Sequence, residues 1–431
     1  MNIIALAVVF FIMLFLKSSS LAPFSNPNFS PSISLGFILI FAFLIGKEIN
    51  RFKLPQITGF ILAGIFCGPY ILKFLSIGDV ENLQLLDGLA LSLIALTAGG
   101  EMRIAQLRKN MKAIFSILIF QTVIIIAGFV IFGLFARSFF PFFSEKTLAQ
   151  GFALSILLGT LATATSPSTT IAVITETNAK GKYTDLILST SVIKDFFVIA
   201  IFALSLSLSK FLAVTGKAFE ADVMTMVLRE VGGSVLLGIL VGLGIVLYLK
   251  FINRETAVFI LGVAFFTYQI SQSFGFHPLM ICLVAGFLVE NFSSRGDSLI
   301  QAIEKSSVPI FVVFFAISGA SLNLEALRRS WVLALIFVAW RGILKFAGTY
   351  VGAKIAKEDP GVQKQSWAGF ISQAGVALGM AVIVERAFPE WGGEFKALVL
   401  AIIAINQIIG PVLLQRLLFK VDEAGKKQLD S

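Results

Sequence analysis

Histidine and cysteine are almost absent. One histidine, His277, stands among 431 residues, and the two cysteines, Cys67 and Cys282, lie inside apolar runs. A lone imidazole makes no metal cluster, and thiols placed this way read as small core residues, not as a disulfide. Charge is scarce as well. Only 14% of residues are Asp, Glu, Lys or Arg, against about 25% in a soluble domain. No phosphate loop, nucleophile elbow or metal-ligand pattern interrupts the chain, so neither an enzyme nor a cofactor is expected. The formal net charge of +9 does not point to nucleic acid, because basic cytoplasmic loops produce the same excess.

What abounds is apolar sequence, 57% of the residues. Apolar runs of roughly 17–25 residues recur, as bilayer-spanning helices require. The expected fold class is an all-α polytopic membrane protein. Thirteen transmembrane helices are expected, at 33–49, 55–72, 84–100, 110–136, 148–175, 183–209, 228–250, 256–272, 277–291, 307–322, 331–355, 367–385 and 395–419. Residues 1–32 hold one more apolar run, 3–16. It reads as an extra N-terminal helix, or as a signal peptide with a small-x-small site at Ser20-Leu21-Ala22. Residues 421–431 form a short tail. The loops with Arg51, Arg103, Lys180, Lys250, Arg295 and Lys354, together with the tail, hold about 20 Lys and Arg, and the opposite loops about 11. The first set, and the C-terminus with it, is expected in the cytoplasm.

Four charges stand near the middle of spans. Lys194 and Asp195 sit near the centre of Leu186–Ala203, LILSTSVIKDFFVIAIFA, and Arg341 and Lys345 lie mid-span in a later helix. Each charge at mid-membrane depth costs about 3 kcal/mol on insertion scales, so such residues mark function. Three cations facing one carboxylate is the imbalance on which a functional reading turns.

Two halves of the chain repeat. Ala95–Lys109, ALTAGGEMRIAQLRK, lays on Phe315–Arg329, FAISGASLNLEALRR, so that Gly99 meets Gly319. Pro55–Gly64 resembles Pro278–Gly286. The loop count puts the basic pair of the first copy inside and that of the second outside, so the copies are inverted. Residues 33–209 form the first six-helix repeat, 210–255 a linker helix and 256–420 the second repeat. The fifth helix of each repeat is interrupted, at Thr165-Ser166-Pro167-Ser168-Thr169-Thr170 and at Ser372-Gln373-Ala374-Gly375. Proline removes a backbone donor and glycine permits unusual angles. Broken helices at corresponding positions of two halves point to a transport site at the midplane. Taken singly, each break also fits a plain kink or close helix packing.

These residues carry a resemblance. LPQITGFILAGIFCGP at 54–69, LTAGGEM at 96–102, TSPSTTIAVITE at 165–176, STSVIKDFFVI at 189–199, ILKFAGTYVGAKI at 343–355 and GFISQAGVALGMAVI at 369–383 are similar, in order, to the motifs of the monovalent cation:proton antiporter superfamily. The chain resembles its second family, which holds bacterial Na⁺/H⁺ antiporters and potassium-efflux membrane domains. The resemblance implies two broken, crossing helices in a core domain, a dimerisation domain, a homodimer, an elevator-like motion and a place in the bacterial inner membrane. Asp195 falls on the essential carboxylate and Lys345 on the buried basic residue. Lys194 departs from the family, whose ion helix carries Asp, Asn or Gln there. Asp195 is therefore expected to pair with Lys194 or Lys345.

The expected function is exchange of Na⁺ or K⁺ for H⁺ by alternating access, with protons, the cation and the lipid bilayer as partners. A dehydrated cation needs oxygen ligands. Asp195, the hydroxyls of Thr165, Ser166 and Thr169, and freed carbonyls are the candidates, with Pro167, Gln373 and Gly375 shaping the crossing. Lys194 either joins the exchange as a proton carrier or faces away in a structural role. Arg341 is expected to snorkel or pack at a gate. Glu101 reads as an interfacial residue or as part of a cytoplasmic ion funnel, and His277 as structural or pH-sensing. Asn406 and Gln407 are expected to bond between helices. Two alternatives stand beside antiport: transport of another solute on the same fold, for which the cation excess would suit an anion, and a non-transporting membrane sensor.

Overall fold

The computed structural model describes residues 2–18, 30–52, 54–100, 102–213, 221–252, 254–276, 278–293, 296–322, 324–373 and 376–426. Glu101, His277 and Gly375 lie outside them, as do parts of the N-terminal segment, the linker and the tail. Among the described residues every regular element is helical: α1 (Asn2–Ser18), α2 (Ser30–Asn50), α3 (Gln56–Cys67), α4 (Ile77–Gly100), α5 (Ile104–Ala136), α6 (Pro141–Ser144), α7 (Leu148–Thr163), α8 (Pro167–Thr177) and α9 (Lys182–Ala213). Then follow α10 (Ala221–Phe251), α11 (Thr256–Phe274), α12 (Pro278–Phe292), α13 (Gly296–Ala320), α14 (Leu324–Ile355), α15 (Pro360–Gln365), a tight 3-10 turn at Ser366–Phe370, α16 (Val376–Ala387) and α17 (Gly392–Lys420). In hydrocarbon each backbone N–H and C=O must be answered within the protein, and the helix does this inside one segment. Eight helices among the described residues are long and apolar enough to cross a membrane, and shorter apolar helices accompany them. The chain is an integral membrane protein.

The helices sort into two compact units. Unit 1 holds residues 1–103, 171–177 and 234–325, and unit 2 holds 104–170, 178–233 and 326–431. In unit 1, backbone approaches backbone at glycines. A methyl group added to Gly64 of α3 would collide with the Ala316 carbonyl of α13, and one on Gly319 of α13 with the Ile61 carbonyl of α3. The same reciprocal contact joins α4 and α12. Gly99 meets the Leu283 carbonyl, and Gly286 meets the Leu96 carbonyl. Lipid gives no hydrophobic drive between helices, so small residues that permit such approach carry much of the packing. Around α4 and α12, Leu93, Leu96, Leu249, Ala264, Cys282 and Val289 form a buried cluster. Helix α1 also packs here, its Phe10 ring 5.3 Å from that of Phe74.

In unit 2, α5 lies close along α14. A methyl on Gly352 would stand 2.6 Å from the Ile117 Cα, and one on Gly348 would stand 2.5 Å from the Gln121 Cα. Ser116 donates to the Gly352 carbonyl at 2.7 Å. Phe129 stacks on Phe337 at 5.4 Å between ring centres, inside a core that also takes Leu154, Leu157, Val198 and Phe395. Helix α7 starts with a capping box, Thr147 accepting from the Gln150 N–H and Gln150 accepting from the Thr147 N–H, which answers two of its free donors. Helix α9 is capped from far away. The Glu423 carboxylate accepts from the N–H groups of Tyr183 and Thr184, both at 2.8 Å, and from the Thr184 hydroxyl at 2.8 Å. The Lys180 N–H donates to the Glu423 carbonyl at 3.0 Å.

Candidate functional site

The interruption after α7 follows from its sequence. Pro167 has no N–H and pre-sets its own φ, so it opens a helix and cannot continue one. Helix α7 accordingly stops at Thr163 and α8 starts at Pro167. Ser166 caps the new start, its hydroxyl accepting from the Thr169 N–H at 3.2 Å, the usual task of a serine there. That hydroxyl also lies 2.9 Å from the Thr169 hydroxyl and 3.0 Å from that of Ser168. In the second half, the 3-10 turn ends at Phe370 and α16 begins at Val376. The two interruptions meet. The Ser166 N–H donates to the Ser372 carbonyl at 2.9 Å. Gln373 donates to the Leu161 carbonyl at 2.8 Å, and Asn406 of α17 donates to the Gln373 side chain at 3.1 Å. Gly410 leaves room for this crossing, since a methyl there would stand 2.6 Å from the Ser372 Cα.

A helix end leaves its last carbonyls without partners inside the helix. At the end of α7 five successive carbonyls each receive a side-chain donor. The Thr163 hydroxyl donates to Thr160 O at 2.6 Å, and Gln373 serves Leu161 O. Arg341 Nε donates to Ala162 O at 2.8 Å, Lys345 Nζ to Thr163 O at 2.7 Å and Arg341 Nη2 to Ala164 O at 2.7 Å. The third guanidinium bond, from Nη1, goes to Ile371 O in the second interruption at 2.8 Å. Lys345 also donates to the Thr165 hydroxyl at 3.0 Å. Arg341 is 1% exposed and Lys345 0%.

Of the two expectations for Arg341, snorkelling is not what the structure contains, because the guanidinium is buried. Its fork finds three acceptors that exist only because two helices are broken beside it. Both cations sit at the negative end of the α7 dipole, where positive charge is favoured. Their charge answers carbonyls, and the freed carbonyls expected as cation ligands already hold these donors.

Lys194 and Asp195 lie near the middle of the 32-residue α9. Lys194 is 0% exposed. Its ammonium donates to Gln121 Oε1 of α5 and stands 4.7 Å from the centre of the Phe370 ring. Asp195 is partly buried, and its Oδ1 is buried without a hydrogen-bond partner. Neither Lys194 nor Lys345 forms an ion pair with it among the described residues. The expected pairing is not what the structure contains, because each lysine has nearer acceptors of its own. Adjacent residues on a helix point about 100° apart, and here the two side chains serve different neighbours.

Of the expected oxygen ligands, Thr165 is joined to Lys345, and Ser166 and Thr169 are joined to each other. The arrangement leaves one oxygen of the Asp195 carboxylate buried without a hydrogen-bond partner. Gln121, Thr349 and Phe370 were not singled out in the sequence. Gln121 carried a signal, an amide alone inside the apolar stretch 113–136.

The transmembrane model of the sodium/hydrogen exchangers matches residues 36–420. Probable Na(+)/H(+) antiporter 3 of Methanocaldococcus jannaschii is 21% identical over 389 residues, covering 88% of this chain and 95% of the relative. Na(+)/H(+) antiporter 1 of the same organism is 22% identical over 319 residues, 70% of this chain and 71% of the relative. The solved structure of the sodium proton antiporter MjNhaP1 from that organism, at pH 8, superposes with a TM-score of 0.65 at 17% identity, covering 90% of this chain and 97% of that one. That structural likeness is one of fold.

Proposed function

This chain belongs to the sodium/hydrogen exchanger family, and we propose how it exchanges a monovalent cation for protons: Asp195 takes the two in turn, and Na⁺ is the cation. The protein is a secondary antiporter and not an enzyme. The ions are its substrates, and it needs no cofactor. The observation that carries the site assignment is the Asp195 Oδ1, buried and unpartnered while Lys194, Arg341 and Lys345 are all engaged elsewhere. A buried carboxylate oxygen that no donor reaches is costly to leave charged, which suits it to hold a proton or a metal cation. Either occupant satisfies it, and both cannot hold it at once. That competition is the exchange. The names of the relatives support Na⁺ over K⁺.

The thirteen-span, inverted-repeat architecture belongs to the same proposal. Its support is the reciprocal glycine contacts. Exchanging the two repeats turns the α3–α13 pair into the α12–α4 pair, with Gly64 becoming Gly286 and Gly319 becoming Gly99. Each compact unit also draws helices from both halves of the chain, as two interlocked repeats would. Alternating access, the homodimer and a cytoplasmic C-terminus on the bacterial inner membrane are carried by the resemblance and, for the topology, by the Lys and Arg count. The cation excess that favoured an anion substrate loses its force, since Arg341 and Lys345 are matched by backbone carbonyls.

The test uses sealed vesicles containing the purified protein, an imposed pH gradient and a pH-sensitive dye. Na⁺, K⁺ and Li⁺ are added in turn, with Asp195→Asn as control. Gradient collapse with Na⁺ that is absent in the control is expected. Collapse in the control as well would remove Asp195 from the site.

A further inference from the structure

We infer that Gln121 is a positioning residue that holds the Lys194 ammonium away from Asp195 and so keeps the carboxylate open to the transported cation. The inference rests on the assignment of Asp195 given above. A lysine next to the ion-binding carboxylate is a tethered competitor for it. It is covalently fixed beside the site, and its flexible stem spans several ångströms. For a dissolved cation to bind, that ammonium has to be held elsewhere.

The structure contains the means. Gln121 is 0% exposed on α5, and its Oε1 accepts from Lys194 Nζ. On the other side its Nε2 donates to the Thr349 hydroxyl at 2.5 Å. Thr349 spends its one hydroxyl proton on the Lys345 carbonyl, 2.7 Å away. Toward Gln121 it therefore only accepts, which turns the NH₂ end of the amide to Thr349 and the oxygen to Lys194. The backbone of Gln121 is held as well. Gly348 of α14 packs so closely on it that a methyl would stand 2.5 Å from the Gln121 Cα. The ammonium also faces the Phe370 ring at 4.7 Å and the Lys345 side chain. A ring face holds a cation less specifically than an oxygen does, so the amide oxygen is the anchor. Glutamine suits the task because it accepts without adding a negative charge that would itself compete for the cation.

A double-mutant cycle tests this, read as the Na⁺ concentration for half-maximal exchange and the maximal rate in vesicles. Gln121→Leu keeps the volume and removes the acceptor. It is expected to raise half-saturating Na⁺ by about tenfold, the scale of one hydrogen bond to a charged group, with the maximal rate little changed. In a Lys194→Asn background the same substitution is expected to shift half-saturation by less than about twofold, because no ammonium remains to be held. Equal shifts in both backgrounds, or none in either, would overturn the inference. Should Gln121→Leu not fold, Thr349→Val takes its place. It frees the amide to turn and is expected to shift half-saturation the same way, again only while Lys194 is present. Asp195→Asn runs in parallel. Exchange that survives it defeats the site assignment, whereas loss of exchange together with an additive cycle defeats the role of Gln121 alone.

Discussion

Lys194 and Asp195 are neighbours in the chain but not partners. The lysine bonds to Gln121, one helix away, and the aspartate keeps a buried oxygen that no donor reaches. Charge proximity in sequence and charge pairing in space part company at the centre of this molecule.

The first expectation follows from that oxygen. Asp195→Asn abolishes Na⁺-driven collapse of a pH gradient in vesicles and leaves the protein folded and monodisperse in detergent. The amide cannot exchange a proton for a cation, but it fills the same volume.

Lys194→Asn restores the kind of residue pair the family carries. Exchange is expected to persist, with half-saturating Na⁺ falling by roughly threefold or more as a buried positive charge is removed. Loss of transport in a folded Lys194→Asn protein would make the lysine an obligatory proton carrier.

Arg341 is expected to matter for stability before transport. Arg341→Met strips donors from Ala162 and Ile371 and the shorter of two from Ala164, and a buried acceptor left alone costs about 1–3 kcal/mol. A lower melting temperature in detergent is the readout. Arg341→Lys, with no planar fork to span three carbonyls, is expected to recover part of the loss and not all of it.

The glycine contacts of unit 1 make a paired prediction. Gly64→Ala and Gly286→Ala each drive a methyl into a facing carbonyl, and overpacking of this kind costs about 1–3 kcal/mol. Gly244→Ala, on α10 where nothing lies within 4 Å of the added methyl, leaves the melting temperature unchanged or slightly raised.

The cap on α9 is the last test. Glu423→Ala removes the acceptor for three donors at the start of the ion helix. A loss of about 1–2 kcal/mol is expected, with faster amide exchange at Tyr183 and Thr184 than in the intact protein.

The residues reveal these features unevenly. Apolar run length is sufficient to read an all-helical membrane chain, and Pro167 marks where α8 begins because its missing N–H has only a few tolerable places. The glycines that repeat between the halves are the ones that press against backbone. Harder to read is where a buried cation turns. The sequence leaves Arg341 between snorkelling and gate packing because its acceptors, Ala162, Ala164 and Ile371, are carbonyls, and every residue has one. Only the fold decides which carbonyls are free. Gln121 was passed over for a related reason: an amide within an apolar stretch announces a partner without naming it. Glu423 carried no local signal at all, since its partners lie in a different part of the chain.

That last separation sets an order of events. Glu423 follows Tyr183 by 240 residues, and at roughly 5–20 residues per second of synthesis it emerges on the order of 12–48 s later. Throughout that interval α9, with Lys194 and Asp195 already in place, has a first turn whose N–H groups lack their carboxylate. The helix that carries Lys194 and Asp195 is thus finished by a residue made long after it, and a ribosome that stalls before Glu423 leaves that helix with an unsealed end.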